Sequence, residues 1–196
     1  MNISPTILTG AHVRLEPGAE KHLADLLVAS QHAEIWEYLP FGPFNSIDEW
    51  RTLIEKGHLA IQEGRRLWFV IVRRSDERAV GMTGYNHIFH ADRCVEIGGT
   101  WLDPNVWRTA INTESKFLLL RYAFETLGCI RVQLRSDARN LRSQRAIERL
   151  GATKEAVLRK ETITRGDYQR DSVMYSILDT EWQTVKNRLE GFLNRQ

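Results

Sequence analysis

Glu96-Ile97-Gly98-Gly99-Thr100-Trp101-Leu102-Asp103-Pro104 is the stretch on which the fold turns. With Cys94 and Val95 before it and Pro104 closing it, the pattern predicts a strand from Cys94 to Leu102. Two glycines inside a strand contribute no packing, so Gly98-Gly99 marks either a bulge or a close approach by something else. Strict alternation puts the Glu96 carboxylate on the same face as Gly98 and Thr100.

On the C-terminal side, a loop Trp107-Arg108-Thr109-Ala110-Ile111-Asn112 leads into a helix expected over Thr113 to Leu127. Phe117, Leu120, Phe124 and Leu127 share one face of it, Asn112 is placed to cap it, and Gly128 stops it. A short strand follows at Arg131 to Leu134, then a helix from Leu141 to Leu150 ended by Gly151. At 100° per residue, Ser143, Ala146, Ile147 and Leu150 fall on one side of that helix, with Asn140 near its edge. Arg142, Arg145 and Arg149 gather on an adjacent, wetter side. Val157 to Thr164 and Ser172 to Leu178 read as closing strands, and Trp182, Val185, Leu189 and Phe192 form the stripe of a last helix, about 181–194.

On the N-terminal side, Leu67 to Val72 and Ala79 to about Phe89 are strands separated by the turn Ser75-Asp76-Glu77. Pro40-Phe41-Gly42-Pro43-Phe44 is a loop, and Ser46 with Glu49 forms a capping box for the helix carrying Trp50, Leu53 and Ile54. A helix over Glu20 to Ser30 and a short strand at His12 to Leu15 complete the reading. The fold class is therefore α+β, one mixed and largely antiparallel sheet flanked by helices, and residues 1–196 are expected to form a single domain.

Bulk properties narrow the function. A hydrophobic share of 42% and a charged share of 27% are those of a globular chain, and a net charge of +2 gives no support to nucleic acid or an anionic membrane as partner. No run approaches the roughly 18 apolar residues of a membrane span, and no signal peptide opens the chain. Cys94 and Cys129 lie far apart and make no CxxC pair; both are expected to be reduced thiols in a cytoplasmic protein. His87 and His90 on one strand do not converge on a metal, and no metal is expected.

From Glu96 onward the chain resembles the GNAT acetyltransferases, most closely their RimJ/RimL-like branch. The resemblance rests on the quoted strand, on Asn112-Thr113-Glu114, on Asp137-Ala138-Arg139-Asn140-Leu141-Arg142-Ser143, on Arg145 through Ala152, and on Gly166-Asp167-Tyr168 before Asp171 and Tyr175. His12-Val13-Arg14-Leu15 and Gly42-Pro43-Phe44 extend it more loosely into the N-terminal half. What this implies is transfer of an acetyl group from acetyl-CoA to an amine acceptor by direct attack. The acceptor is a protein N-terminus or a small molecule, and a homodimer is compatible with the family.

The resemblance implies that the backbone of Thr100, Trp101 and Leu102 pairs with the pantetheine arm of acetyl-CoA. It implies that Arg108, Thr109, Ala110, Ile111, Asn112 and Thr113 hold the pyrophosphate at a helix start, where free N–H groups and the helix dipole favour anions. This loop departs from the family pattern at three positions, with Trp107 in place of Gln or Arg, Ala110 in place of glycine, and Asn112 in place of a final glycine or alanine. The resemblance implies that Asn140 contacts the pantetheine arm, although by itself it reads first as a helix cap. Ser143 is expected near the thioester sulfur as the acid for the departing thiolate. Glu96 is the candidate base, with Glu161 and Tyr175 as rivals. The altered loop favours one alternative, a CoA-binding sensor or interaction module without activity.

Overall fold

A computed structural model describes Met1 and residues 3–195. Eight strands form one sheet in the order β1-β2-β3-β4-β5-β6-β8-β7. They are β1 Leu8–Thr9, β2 Val13–Glu16, β3 Leu67–Arg73, β4 Arg78–Phe89, β5 Cys94–Leu102, β6 Arg131–Asp137, β7 Thr153–Thr164 and β8 Tyr168–Leu178. Every neighbouring pair is antiparallel except β5 and β6, which run parallel. Parallel neighbours need a crossover, and the helix α4 (Ala110–Arg121) supplies it.

Helices cover the two faces unequally. On one face α4, α5 (Leu141–Leu150) and α6 (Asp179–Leu193) enclose a core that includes Leu67, Phe69, Tyr85, Ile97, Leu134 and Tyr175. On the other, α1 (Leu23–Ala29), α2 (Ala33–Trp36) and α3 (Ile47–Gln62) pack on Val70, Val72, Met82 and Trp101. An aromatic cluster anchors this second core, with Trp101 5.7 Å from Trp36 and 5.4 Å from Trp50 between ring centroids. Where β5 runs beside β6, the second face carries polar side chains, among them Glu96 on β5 and Arg131, Gln133 and Arg135 on β6.

The bounds of β5 and α5 are those expected from the sequence. The main helix differs. It starts at Ala110 rather than Thr113, capped by the Thr109 hydroxyl accepting from the Ile111 amide at 3.3 Å, so Asn112 lies within its first turn and is not the cap. Its last expected turns, Tyr122–Thr126, widen into a π-turn. The capping box of α3 is also rearranged: Ser46 accepts from the Glu49 amide at 3.2 Å, but the Glu49 carboxylate takes the amide of Asn45.

The first turn of α4 is held by an interaction of long sequence range. Glu114, almost wholly buried, accepts the backbone N–H groups of Ala11, His12 and Val13 at 2.7, 2.6 and 2.7 Å. The turn between β1 and β2 is wrapped around that carboxylate. Gly10 is required there, because a Cβ would stand 2.3 Å from the Glu114 carboxyl carbon.

Candidate active site

The sheet splits between its two parallel strands. β5 and β6 pair through four rungs, from Cys94 opposite Arg131 to Ile97 opposite Leu134, and then part. Beyond Ile97, residues Gly98 to Leu102 keep β4 on one side and, among the described residues, have no strand on the other. A bulge sits at the parting point. Gly99 and Thr100 together oppose the single residue Thr83 of β4, and Gly99 adopts φ 61° in the left-handed region that favours glycine.

That extra residue corrects the simple alternation. Glu96 faces Arg135 and His87 on the polar side, whereas the Thr100 hydroxyl meets Thr83 and Lys116 beneath α4, on the opposite side. Trp101 returns to the aromatic cluster and Leu102 to the main core, so these two offer backbone rather than side chains to the split. The Leu102 carbonyl accepts from the Trp107 indole at 3.0 Å.

At the start of α4 lies a cleft of about 760 Å³ lined by His12, Arg73, Arg74, Arg108, Thr109, Ala110 and Ile111, among others. The amides of Ala110 and Asn112, at the start of α4, find no side-chain acceptor among the described residues. Three guanidinium groups and a helix start thus share one opening, the arrangement that suits a pyrophosphate. Arg108 and Thr109 are exposed, and Arg108 holds φ 64°. Thr113 is fully buried and its hydroxyl accepts from Arg149 at 2.6 Å, which leaves only its backbone to a ligand. Arg142 stacks on the Trp107 ring at 3.6 Å, so α5 and the loop before α4 are laced together across the upper end of the split.

At the start of α5, Asn140 Oδ1 accepts from the Ser143 amide at 2.9 Å. The asparagine is a helix cap, with its amide nitrogen still available to a ligand. Ser143 is half-buried and its hydroxyl makes no hydrogen bond among the described residues. Gln144 is the buried polar residue of that helix, donating to the carbonyls of Asp137 and Ala138.

Glu96 is 3% exposed and pairs with Arg135 at 2.6 Å, while its other oxygen lies 3.5 Å from Nδ1 of the half-exposed His87. Arg135 also pairs with Glu161. Burial alone would lower the Arg135 pKa, but Glu96 and then Glu161 outweigh it and hold the guanidinium charged. Tyr175, the other rival, is fully buried, and its hydroxyl donates to Glu148 at 3.0 Å. Burial and then that bond push it up to about 12, which suits a structural tie. Burial likewise raises Cys129 to about 11 and Cys94 above its usual value, far from an activated thiolate.

Sequence reasoning missed Arg73 and Arg74 in the cleft and Lys116 beneath the bulge. The arginine pair at a strand end was a readable signal, and so was a lysine in the middle of an apolar helix. Among the described residues, no cluster of three or more His, Cys, Asp or Glu is placed to hold a metal, and no helix is long and apolar enough to cross a membrane.

A family model for the acetyltransferase (GNAT) domain matches residues 12–153. The chain belongs to the GNAT acetyltransferase family. It is similar over 97% of its length to the crystal structure of a GCN5-related N-acetyltransferase from Brucella melitensis, at TM-score 0.89 and 28% identity, covering 86% of that chain. A Bacillus subtilis (strain 168) relative named "Putative ribosomal N-acetyltransferase YdaF" is 28% identical over 178 residues, 88% of this chain and 92% of its own. The fold is also that of the microcin C7 self-immunity acetyltransferase MccE, solved with acetyl-CoA and AMP: TM-score 0.77, 24% identity, 86% of this chain and 93% of the other. This GNAT chain is an N-acetyltransferase whose relatives accord with the RimJ/RimL-like branch.

Proposed function

We propose that this GNAT enzyme transfers the acetyl group of acetyl-CoA to a primary amine, with a peptide α-amine as the preferred acceptor class. The observation that carries the reading is the parting of β5 from β6 just past Ile97; an arginine-lined cleft at the start of α4, the helix that follows β5, accompanies it. The residues present fit the ligand. An unpaired strand edge suits an extended amide-bearing arm, and the cleft suits its phosphates. The likeness to MccE, whose structure holds acetyl-CoA, and to the ribosomal-type relative supports both halves of the proposal.

Bound acetyl-CoA supplies an activated thioester. Thr100, Trp101 and Leu102 offer backbone groups along the split, and their N–H groups polarise the carbonyl. Arg108, Thr109, Ala110, Ile111, Asn112 and the Thr113 backbone orient the phosphates, joined by Arg73 and Arg74. Asn140 offers its free amide nitrogen to the arm. Glu96, with His87 between it and solvent, takes the proton from the attacking amine. Ser143, its hydroxyl uncommitted, gives a proton to the sulfur that leaves. The enzyme is proposed to act in the cytoplasm, and a homodimer is compatible with this arrangement.

Incubation with acetyl-CoA and a panel of peptides and small amines, with mass detection, tests the proposal. Acetylated peptide α-amines are expected. Tight CoA binding with no acetyl product on any amine would instead make the chain a sensor. Two variants examine the parts. Arg108→Ala is expected to weaken CoA about 10-fold or more while barely changing a truncated pantetheine thioester. Alanine keeps the same backbone strain at this position, so the variant isolates the guanidinium; equal losses for both ligands would place Arg108 away from the phosphates. Ser143→Ala is expected to lower kcat by about 10-fold with acetyl-CoA affinity intact, near the bottom of the range for proton-transfer assistance because a thiolate leaves readily. Unchanged kcat would remove the serine from the chemistry.

A further inference from the structure

Lys116 lies in the middle of α4 and is 6% exposed. Among the described residues its amine meets two hydroxyls and no carboxylate: Thr100 Oγ1 at 2.5 Å and Thr83 Oγ1 at 3.1 Å. The two threonines are themselves 2.8 Å apart, which closes a triangle. Burial pushes the lysine down to about 7, and no charged neighbour contributes. A lysine buried without a counter-charge is costly to keep. In a purely packing role, methionine would fill the same space at less cost.

The triangle's position gives it a use. Thr83 is the one residue of β4 that faces the bulge, and Thr100 is the second bulge residue. The amine therefore ties together both sides of the irregularity. On the opposite face Asn86, fixed by the Trp68 indole at 2.8 Å, covers the glycines so closely that a Cβ on Gly98 would stand 2.6 Å from its Nδ2. The bulge is clamped above and below, and it begins two residues past the last rung between β5 and β6.

We propose that Lys116 is a positioning residue for acetyl transfer: through Thr83 and Thr100 it fixes the bulge and so aims the backbone N–H groups of the split strand. This rests on the transferase reading above and deepens it. A misplacement on the order of 1 Å at such donors is enough to cost a large part of the rate.

The test compares Lys116→Met, Thr83→Val and Thr83→Ser in the full chain. It reads kcat and KM with acetyl-CoA and a peptide amine, CoA affinity, Tm, and amide hydrogen exchange at Gly99 to Leu102. Lys116→Met and Thr83→Val are expected to lower kcat about 10-fold, change CoA affinity less than 3-fold, and speed exchange at those amides. Thr83→Ser, which keeps the hydroxyl, should recover most of the loss. Wild-type kcat in folded Lys116→Met or Thr83→Val overturns the proposal. So does a kcat that falls only in step with Tm while the amides of Gly99 to Leu102 are unaltered. If Lys116→Met does not fold, the two Thr83 variants decide. Failure of the wild-type chain to acetylate any amine would sink the transferase reading itself, while the exchange data would still report whether the clamp holds the bulge.

Discussion

Glu114→Ala is expected to lower the stability of the fold by about 3–5 kcal/mol, the largest effect of any single change away from the core. Three backbone N–H groups at Ala11, His12 and Val13 end on that one carboxylate. Leaving a buried donor unsatisfied costs about 1–3 kcal/mol, and water will reach only part of this site. For a chain of this size the loss amounts to a drop in Tm of roughly 10 °C. Glutamine should recover part of the loss, because its carbonyl oxygen can still accept from His12 and Val13 while its NH2 faces the Ala11 donor. The carboxylate also sets the first turn of α4 beside His12, Arg73 and Arg74, so CoA affinity should fall together with stability. A variant within 1 °C of the parent would mean that the turn between β1 and β2 carries its own hydrogen bonds.

Glu96→Gln is expected to lower kcat/KM at neutral pH by about 100-fold, the low end of what a missing base removes. The amide keeps the shape and can still accept from Arg135, so the fold should survive. His87 would then face a group that takes up no proton. Glu161→Gln is the comparison, since it alters the same arginine without touching the bulged strand. Its effect should be several-fold at most. Equal losses in both variants would identify the Arg135 ion pairs as structural and move the base elsewhere.

Much of this architecture was legible from the chain alone, for identifiable reasons. β5 and α5 were bounded correctly because glycine, proline and an asparagine cap mark their ends in the local sequence. The glycine pair likewise announced an irregularity in its strand. What it could not announce was the consequence, because one inserted residue turns Thr100 away from Glu96, and strict alternation has no means of registering that. The early start of α4 was hidden by competition between Thr109 and Asn112, both acceptable caps. Short α2 lacked enough turns to show a period. Lys116 and the Arg73-Arg74 pair stand out locally, but the groups they meet are distant in sequence, so their use is not readable from any one window of the chain.

The four rungs between β5 and β6 also bear on how the molecule answers to load. Strands β1 to β5 form one antiparallel meander, and β6, β8 and β7, in that order, form a second antiparallel panel, so the sheet is two panels sewn along a short seam. A ligand wedged into the open end of that seam would splice the panels where the protein itself does not. Occupancy at 100 times Kd would add about 2.7 kcal/mol to the folded state. Local opening of the seam, rather than of either panel, is the motion it would suppress. Slowed amide exchange confined to Ile97–Leu102 and Leu134–Asp137 would be its mark.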